Sequence, residues 1–150
     1  MNHIYEVSST RLEKVTEELS LDWQNIYGLS LVSVIGDERE YWDHVNRNGR
    51  IYYYRDDDDS IAVLISLTKK EAAVTIDLLY IKPKSYDQDL GMLMLNFAER
   101  VALKWNAYSI KYMFSEKSGS EPLLPKFQKL GYSCLCPIEL KGTVLCTKML

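Results

Sequence analysis

Apolar residues recur along this chain with two periods, and the changes between them mark out its elements. Residues 3–7 (HIYEV) read as a short first strand. Thr10 and Glu13 then form a capping box, after which Leu12, Val15, Leu19, Trp23 and Ile26 fall at helical spacing up to Gly28. Asp37 and Glu40 make a second capping box, opening a shorter helix with Trp42 and Val45. Two β-rich runs, residues 51–54 and 61–66, flank Asp56, Asp57, Asp58 and Asp59, which predicts a hairpin with a solvated acidic turn. A calcium loop does not fit that turn, because its oxygen spacing and glycine are missing.

Residues 73–81 form a further strand. Over residues 90–105, Leu90, Leu93, Met94, Phe97, Val101, Ala102 and Trp105 make one face of a long amphipathic helix. Residues 108–115 read as a strand. Ser120-Glu121-Pro122 then opens a helix, with serine as N-cap and proline in the first turn, and Gly131 closes it. Residues 132–138 and 143–149 are the last two strands, around Lys141-Gly142. The order is β-α-α-β-β-β-α-β-α-β-β, an α/β domain with a mixed sheet, and 150 residues suit a single domain with a sizeable core.

Composition narrows the class of function. The chain is 47% hydrophobic and 26% charged, an ordinary globular balance. No apolar run reaches membrane-spanning length, and the first ten residues lack a signal peptide's basic and apolar regions, so a soluble cytoplasmic protein is expected. A net charge of −3 gives no footprint for nucleic acid. The charge is uneven: residues 37–59 hold eight acidic against four basic side chains, and residues 99–150 hold four against eight. Cys134, Cys136 and Cys146 have no metal-ligand spacing and are most simply reduced core thiols; no metal is expected. Cys134 and Cys136 share a strand face and could reach Cys146 across the last hairpin. That hairpin is also a plausible edge for a homodimer.

Candidate chemistry concentrates in IKPKSYDQDLGM, residues 81–92: a strand end, a short loop and a helix start. A helix N-terminus offers unpaired amides and the positive end of a dipole, a ready anion site. Here the loop carries two aspartates and no arginine. Either Asp87 or Asp89 could cap the helix. Capping by Asp87 leaves the amides of Leu90 to Met92 partly open, whereas capping by Asp89 consumes them.

The element order and two sequence stretches resemble the GNAT acetyltransferase superfamily over essentially the whole chain. Leu79-Tyr80-Ile81-Lys82-Pro83 fits the family's Leu-x-Val-x-Pro strand end. In the loop that follows, of the type Arg/Gln-x-x-Gly-x-Gly/Ala, Tyr86 takes the arginine position, Asp89 the first glycine and Gly91 the second. Lys126-Phe127-Gln128-Lys129-Leu130-Gly131-Tyr132 is similar to the family's Tyr-x-x-x-Gly-Phe ending, and residues 144–150 to its last strand. The sparse glycines of the loop and the Gly-Tyr pair are most similar to bacteriophage-encoded members.

The resemblance implies a GNAT-like acyl-CoA N-acyltransferase fold and an N-acetyltransferase. Such an enzyme moves acetyl from acetyl-CoA to a primary amine: a protein lysine, an N-terminus or a polyamine-like acceptor. The implied donor site is Leu79, Tyr80, Ile81, Tyr86, Asp87, Gln88, Asp89, Leu90, Gly91, Met92 and Ser120. Within it the Leu79 amide would polarise the thioester and Ile81 would pair with pantetheine. Plain alternation along residues 73–81 puts Asp77 on the face of Leu79, making it the candidate base, with pairing to a neighbouring strand as its structural alternative. Acidic Asp37, Glu38, Glu40 and Asp43 would suit a cationic acceptor.

The departures are also specific. Tyr86 replaces a cation and Asp89 adds a charge of the phosphate's own sign. Phe127 stands where the family has a proton-donating tyrosine, and Ser120 where it has asparagine. These changes leave open a catalytically inactive GNAT-fold binding or structural protein. Tyr52, Tyr53 and Tyr54 divide between core and a possible acceptor cleft, and His44 reads as a surface residue.

Overall fold

The computed structural model describes residues 4–8, 14–15, 17–18, 43, 45–82, 89–115, 124–136 and 142–150. Within these, strands β1 (Ile4–Glu6), β2 (Gly49–Arg55), β3 (Ile61–Lys70), β4 (Ala73–Ile81), β5 (Ser109–Ser115), β6 (Ser133–Leu135) and β7 (Thr143–Met149) accompany helices α1 (Leu90–Lys104) and α2 (Leu124–Lys129). Residues 14–15, 17–18, 43 and 45–46 are also helical. The strands form one sheet in the order β1-β2-β3-β4-β5-β7-β6, antiparallel throughout except for the parallel pair β4 and β5. Among the described residues the order of the seven strands and of the last two helices is the expected one, and the strand over residues 73–81 keeps its expected bounds.

Position in the sheet explains the patterning. Central β3 is buried along its first seven residues, on both faces, and reads as a continuous apolar run. Near the edge, β2 alternates: Ile51 and Tyr53 enter one core, while Tyr52 and Tyr54 pack from the other side. One core lies under α1 and α2 and is built on Val63, Ile65, Leu67, Met94, Leu95, Ala98, Ile110 and Phe127. The second, on the opposite face, collects Val7, Val15, Ile51, Tyr53, Ile61, Leu64 and Tyr80. All three tyrosines of the triple therefore pack on the cores; Tyr52 meets Phe97 edge-on at 5.0 Å and Tyr53 stacks on Tyr5 at 5.5 Å.

Both described helices end in the same hydrogen-bonded motif. In α2, Gly131 adopts φ 92°, its N–H bonds Gln128 O at 3.1 Å and the Tyr132 N–H reaches back to Phe127 O at 3.0 Å. The accompanying apolar contact is the Phe127–Tyr132 ring pair at 5.0 Å. In α1 the left-handed residue is Asn106, φ 61°, with Asn106 N–H to Leu103 O at 3.0 Å and Ala107 N–H to Ala102 O at 2.9 Å. The expected acidic turn is ordered by Asp56, whose carboxylate accepts from the amides of Asp58 and Ser60 and from the Ser60 hydroxyl. Burial pushes Asp56 up, but these bonds and the nearby Lys82 charge outweigh it and hold it below the usual carboxylate range.

Three expectations need correction. Leu93 is 38% exposed, and Leu95 and Ala98 take its place in the buried face of α1, because that face covers a wider arc than a narrow stripe. Of the strand expected over residues 132–138, Ser133 to Leu135 are paired and Tyr132 and Cys136 are not, while residues 137 and 138 lie outside the described residues. Cys134 and Cys146 stand directly opposite across β6 and β7, Cα–Cα 4.0 Å, and form a disulfide rather than two reduced thiols; Cys136 is exposed and takes no part in that bond. The two capping boxes, Gly28, His44, Asp37, Glu38 and Glu40 lie outside the described residues.

Phe127 has no exposed surface, stacks on Tyr112 at 5.4 Å and meets Tyr132 edge-on at 5.0 Å. Phe127→Ala is expected to lower the unfolding free energy by about 3–5 kcal/mol, read by urea denaturation. Burial, then the neighbouring Glu99 charge, pushes the Tyr132 phenol well above its ordinary value. Burial, then Glu6, raises Tyr52 to about 12, against the opposing Arg50 charge. Both phenols keep their protons in the fold to higher pH than in the unfolded chain, where they ionise near 10. Their stabilisation is therefore complete below about pH 10 and declines above it. Chemical denaturation across that range should show the decline, and Tyr132→Phe should make it shallower.

Candidate active site

Strand β4 pairs with its two neighbours unequally. Against β3 it is paired over its whole length, from Ala73 opposite Lys70 to Ile81 opposite Val63. Against β5 it is paired only from Ala73 to Ile76, while β5 continues along β7 to Ser115. Beyond Ile76 a wedge therefore opens between β4 and β5. The ladder also fixes which main-chain groups face it. Lys82 N–H donates to Ala62 O at 2.8 Å, so Lys82 and Ala62 form a hydrogen-bonded pair. Antiparallel pairs alternate, which makes Tyr80 opposite Leu64 hydrogen-bonded, and Ile81 opposite Val63 and Leu79 opposite Ile65 non-hydrogen-bonded. The N–H and C=O of Leu79 and Ile81 thus point away from β3, into the wedge.

Tyr80, also expected to contribute, does not. Its main chain faces β3, and its side chain is fully buried in the core on the opposite sheet face.

Asp77 needs a second correction. The β3–β4 register shifts between Ser66, opposite Leu78, and Leu67, opposite Ile76, so Asp77 is an extra residue in a β-bulge. Beyond the bulge the faces exchange: Leu79 and Ile81 join Val74 and Ile76 in the core under α1, and Leu78 and Tyr80 face the other way. Plain alternation had placed Asp77 on the face of Leu79. It lies instead on the Thr68 side, exposed, accepting a hydrogen bond from the Thr68 hydroxyl. The bulge leaves no hydrophobic signature, so alternation alone could not find it.

The helix that follows the wedge begins at Leu90. Asp89 before it has φ 55° and ψ 18°, the left-handed conformation, and its carboxylate makes no capping hydrogen bond. That is the backbone state glycine takes most easily, and aspartate is among the few other residues that tolerate it. The first helical bond runs from Leu93 N–H to Asp89 O at 3.1 Å. Among the described residues the amides of Leu90, Gly91 and Met92 have no hydrogen-bond partner, and no acidic residue lies in the first turn. These amides form a cluster of donors at the end of the sheet where the wedge opens. Tyr86, Asp87, Gln88 and Ser120 lie outside the described residues.

Other groups border the same end. Lys82 Nζ donates to Ser60 Oγ at 3.1 Å and ties the β2–β3 turn to the tip of β4. Arg55 makes a two-pronged pair with Glu18, at 3.2 and 3.1 Å, and Glu18 also accepts from the Ile61 amide at 3.2 Å. Glu18, which the sequence pattern did not single out, thereby joins the first helical segment to the top of the hairpin. Phe127, without exposed surface, offers no proton donor to the wedge.

The left-handed geometry at Asp89 has a measurable consequence. Asp89→Ala should cost about 1–2 kcal/mol of stability, since alanine gains nothing in that conformation, whereas Asp89→Gly should stay within about 0.5 kcal/mol of the parent. Paired urea titrations test this; an equal loss in both variants would show that the carboxylate, not the backbone, sets the cost.

No family model and no curated protein matches the sequence. Solved structures do match in fold. A GNAT-family acetyltransferase from Staphylococcus aureus superposes with TM-score 0.78 at 12% identity, covering 100% of this chain and 99% of the other. The PaiA N-acetyltransferase from Thermoplasma acidophilum, solved in complex with coenzyme A, gives 0.76 at 15% identity, covering 100% and 99%. The ribosomal-protein-S18-alanine N-acetyltransferase from Escherichia coli gives 0.71 at 11%, covering 99% and 94%. The chain has the fold of the GNAT acetyltransferases along its full length.

Proposed function

We propose that this protein is an N-acetyltransferase that takes acetyl from acetyl-CoA and delivers it to a primary amine. The observation that carries the proposal is the conjunction at one end of the sheet of two donor sets: the wedge-facing main chain of Leu79 and Ile81, and the amides of Leu90, Gly91 and Met92, which have no partner among the described residues. The first set suits an extended chain carrying amides and a carbonyl. The second suits a diphosphate. Coenzyme A carries both, and the fold relatives include an acetyltransferase holding coenzyme A.

In the proposed reaction the thioester supplies an activated acyl group; the neutral amine forms the new C–N bond, the C–S bond breaks, and the thiolate leaves with a proton. Leu79 N–H is assigned the oxyanion, as a fixed donor aimed into the wedge. Ile81 aligns the chain of the donor. Leu90, Gly91 and Met92 hold the negative charge at the helix start, with Tyr86, Asp87 and Gln88 assigned to the loop before it, and Ser120, from the connection after β5, to the donor site, all by resemblance. Asp77 is not assigned the base, because its carboxylate is engaged by Thr68 on the other sheet face. Water is then the proton acceptor for the amine and the donor for the thiolate, since Phe127 cannot act.

Charge decides whether the site survives its substitutions. Asp89 is exposed. A like charge about 4 Å away costs on the order of 1 kcal/mol in water and about 4 at an effective dielectric of 20. Exposure puts Asp89 near the lower figure. Each amide bond to a charged phosphate contributes about 1.5–3 kcal/mol, so three of them outweigh the repulsion. An inactive GNAT-fold binding protein is the second reading, favoured by the buried Phe127 and the added charge at Asp89.

Coenzyme A at millimolar concentration should raise the melting temperature by mass action. Asp89→Gly should tighten binding roughly fivefold, the equivalent of about 1 kcal/mol. Acetyl-CoA with a panel of amines, followed by mass spectrometry of the acetylated product, tests transfer. Binding without transfer to any amine would select the inactive reading. Absence of any shift in both proteins would remove the donor site altogether.

A further inference from the structure

At the opposite end of α1 lies a cavity of about 270 Å³ that the acetyl-transfer chemistry does not use. Among the described residues it is lined by Asn48, Arg50, Lys69 and Trp105. Arg50 opens β2 and Lys69 ends β3, at the end of the sheet where β4 begins. The wedge opens at the other end of β4. α1 separates the two sites by its 15 residues, about 22 Å at 1.5 Å per residue.

The described lining is rich in donors, and none of its residues is a carboxylate. Lys69 Nζ donates to the Trp105 carbonyl and, with three N–H bonds, keeps two in reserve. Arg50 uses Nη1 on the carbonyls of Val45 at 3.4 Å and Gly49 at 2.7 Å, and Nε faces Glu6 at 3.3 Å. Its Nη2 has no partner among the described residues. Neither the Asn48 side-chain amide nor the Trp105 indole N–H makes a hydrogen bond there either. Asn48 is held in place by its backbone, with φ 63°, its N–H on Val45 O at 3.1 Å and its carbonyl accepting from Lys69 N–H at 3.2 Å.

Two opposing charges bear on the site. Glu6 offsets part of the Arg50 charge, but it is 53% exposed and outside the lining. The carbonyl end of α1 carries partial negative charge, which the Lys69 bond to Trp105 O offsets directly. Among the described residues the cavity holds two cations, two neutral donors, an aromatic member and no acid in its wall, which is complementary to an anion with a flat body. Its volume lies just below the roughly 300–1,000 Å³ of drug-sized ligand sites, which sets the ligand near a single ring.

We propose that this cavity binds a small ring-bearing organic anion, a carboxylate or a monophosphate, at a site separate from the acyl-donor wedge. Lys69 and Arg50 hold the anionic group, Asn48 orients it, and Trp105 walls the ring.

Benzoate and phenyl phosphate are the probes, with benzamide as the neutral counterpart, each titrated into ¹⁵N-labelled protein with the Trp105 indole resonance assigned through Trp105→Phe. The expected result is saturable binding of at least one anion, with the indole and the Asn48 side-chain amide shifting together and benzamide at least tenfold weaker. A preference for benzoate identifies a carboxylate ligand and a preference for phenyl phosphate a phosphate one; both support the site. The double variant Lys69→Gln, Arg50→Gln should weaken binding at least tenfold, while Lys70→Gln, which removes an equal charge from an exposed neighbour, should leave it within twofold. Single variants Lys69→Gln and Arg50→Gln stand in if the double variant does not fold. Coenzyme A should neither compete nor shift the indole, so loss of the donor site would leave this result untouched. No saturation by about 10 mM, equal binding of benzamide, or unchanged affinity in the lysine and arginine variants would overturn the proposal.

Discussion

The structure depends on a strand that cannot stay paired on both sides. β4 keeps its antiparallel ladder with β3 to the last residue, yet its parallel ladder with β5 stops at Ile76. β5 is committed along its whole length to β7, so it cannot follow β4 as the two diverge. The bulge at Asp77 sits one residue beyond the last β4–β5 pair. A bulge bends its strand and increases local twist, so it turns β4 away at the point where pairing ends. Separation of strands normally leaves buried polar backbone without partners. Here the alternation of the β3 ladder confines the exposed groups to alternate residues, Leu79 and Ile81, whose apolar side chains remain locked in the core. The wedge therefore presents main-chain donors from a rigid support rather than from a loose loop.

The same constraint places α1. Its first turn must start beside the wedge because its Leu90, Met94, Leu95, Ala98 and Ala102 pack against the face that Leu79 and Ile81 share with Val63 and Ile65. Asp89 completes the geometry in an indirect manner. Its side chain could have capped the helix and occupied the donors that an anion needs. Because its backbone is left-handed and its carboxylate makes no cap, the amides of the first turn have no partner among the described residues. The residue supplies the conformation of a glycine while keeping a charge that a glycine would not carry. That combination explains how a loop so poor in glycine still ends at an anion-competent helix start.

Much of this was legible in the residues. Element order followed from periodicity, and Gly131 marked its helix end correctly because a C′ glycine, unlike most positions, has a backbone requirement that shows in residue type. Leu79 and Ile81 could be placed from the Leu-x-Ile-x-Pro stretch. The failures share a cause. Asp77, Tyr80 and the faces of β4 were misassigned because register is a relation between strands, and one inserted residue reverses every later side chain without altering composition. The Cys134–Cys146 bond likewise depends on which residues stand opposite, which spacing within either strand does not specify. Leu93 was misjudged because leucine is apolar wherever it sits; its exposure depends on how wide an arc of α1 the sheet covers. Asp89 lay between these cases: two capping arrangements were possible from sequence, and the one through Asp89 is excluded by its missing cap bond, while Asp87 lies outside the described residues.

The two ends of α1 divide stability and binding between them. At its C-terminus every device for closing a helix is present: left-handed Asn106, the return bond from Ala107 to Ala102, Lys104 in the last turn and Lys69 on the Trp105 carbonyl. The middle is fixed by fully buried Met94 and Ala98 and by the Glu99–Lys148 ion pair at 2.9 Å to β7. A partly buried pair of this kind resists displacement because separating it would leave Glu99, 15% exposed in its side chain, without its counter-ion. Among the described residues the N-terminus has none of these supports. A helix end with open amides is costly in isolation, and it persists only when the surroundings over-determine the helix's position. In this fold the closed C-terminus and the packed centre supply that determination, so the first turn can leave its donors open among the described residues without the helix fraying from that end.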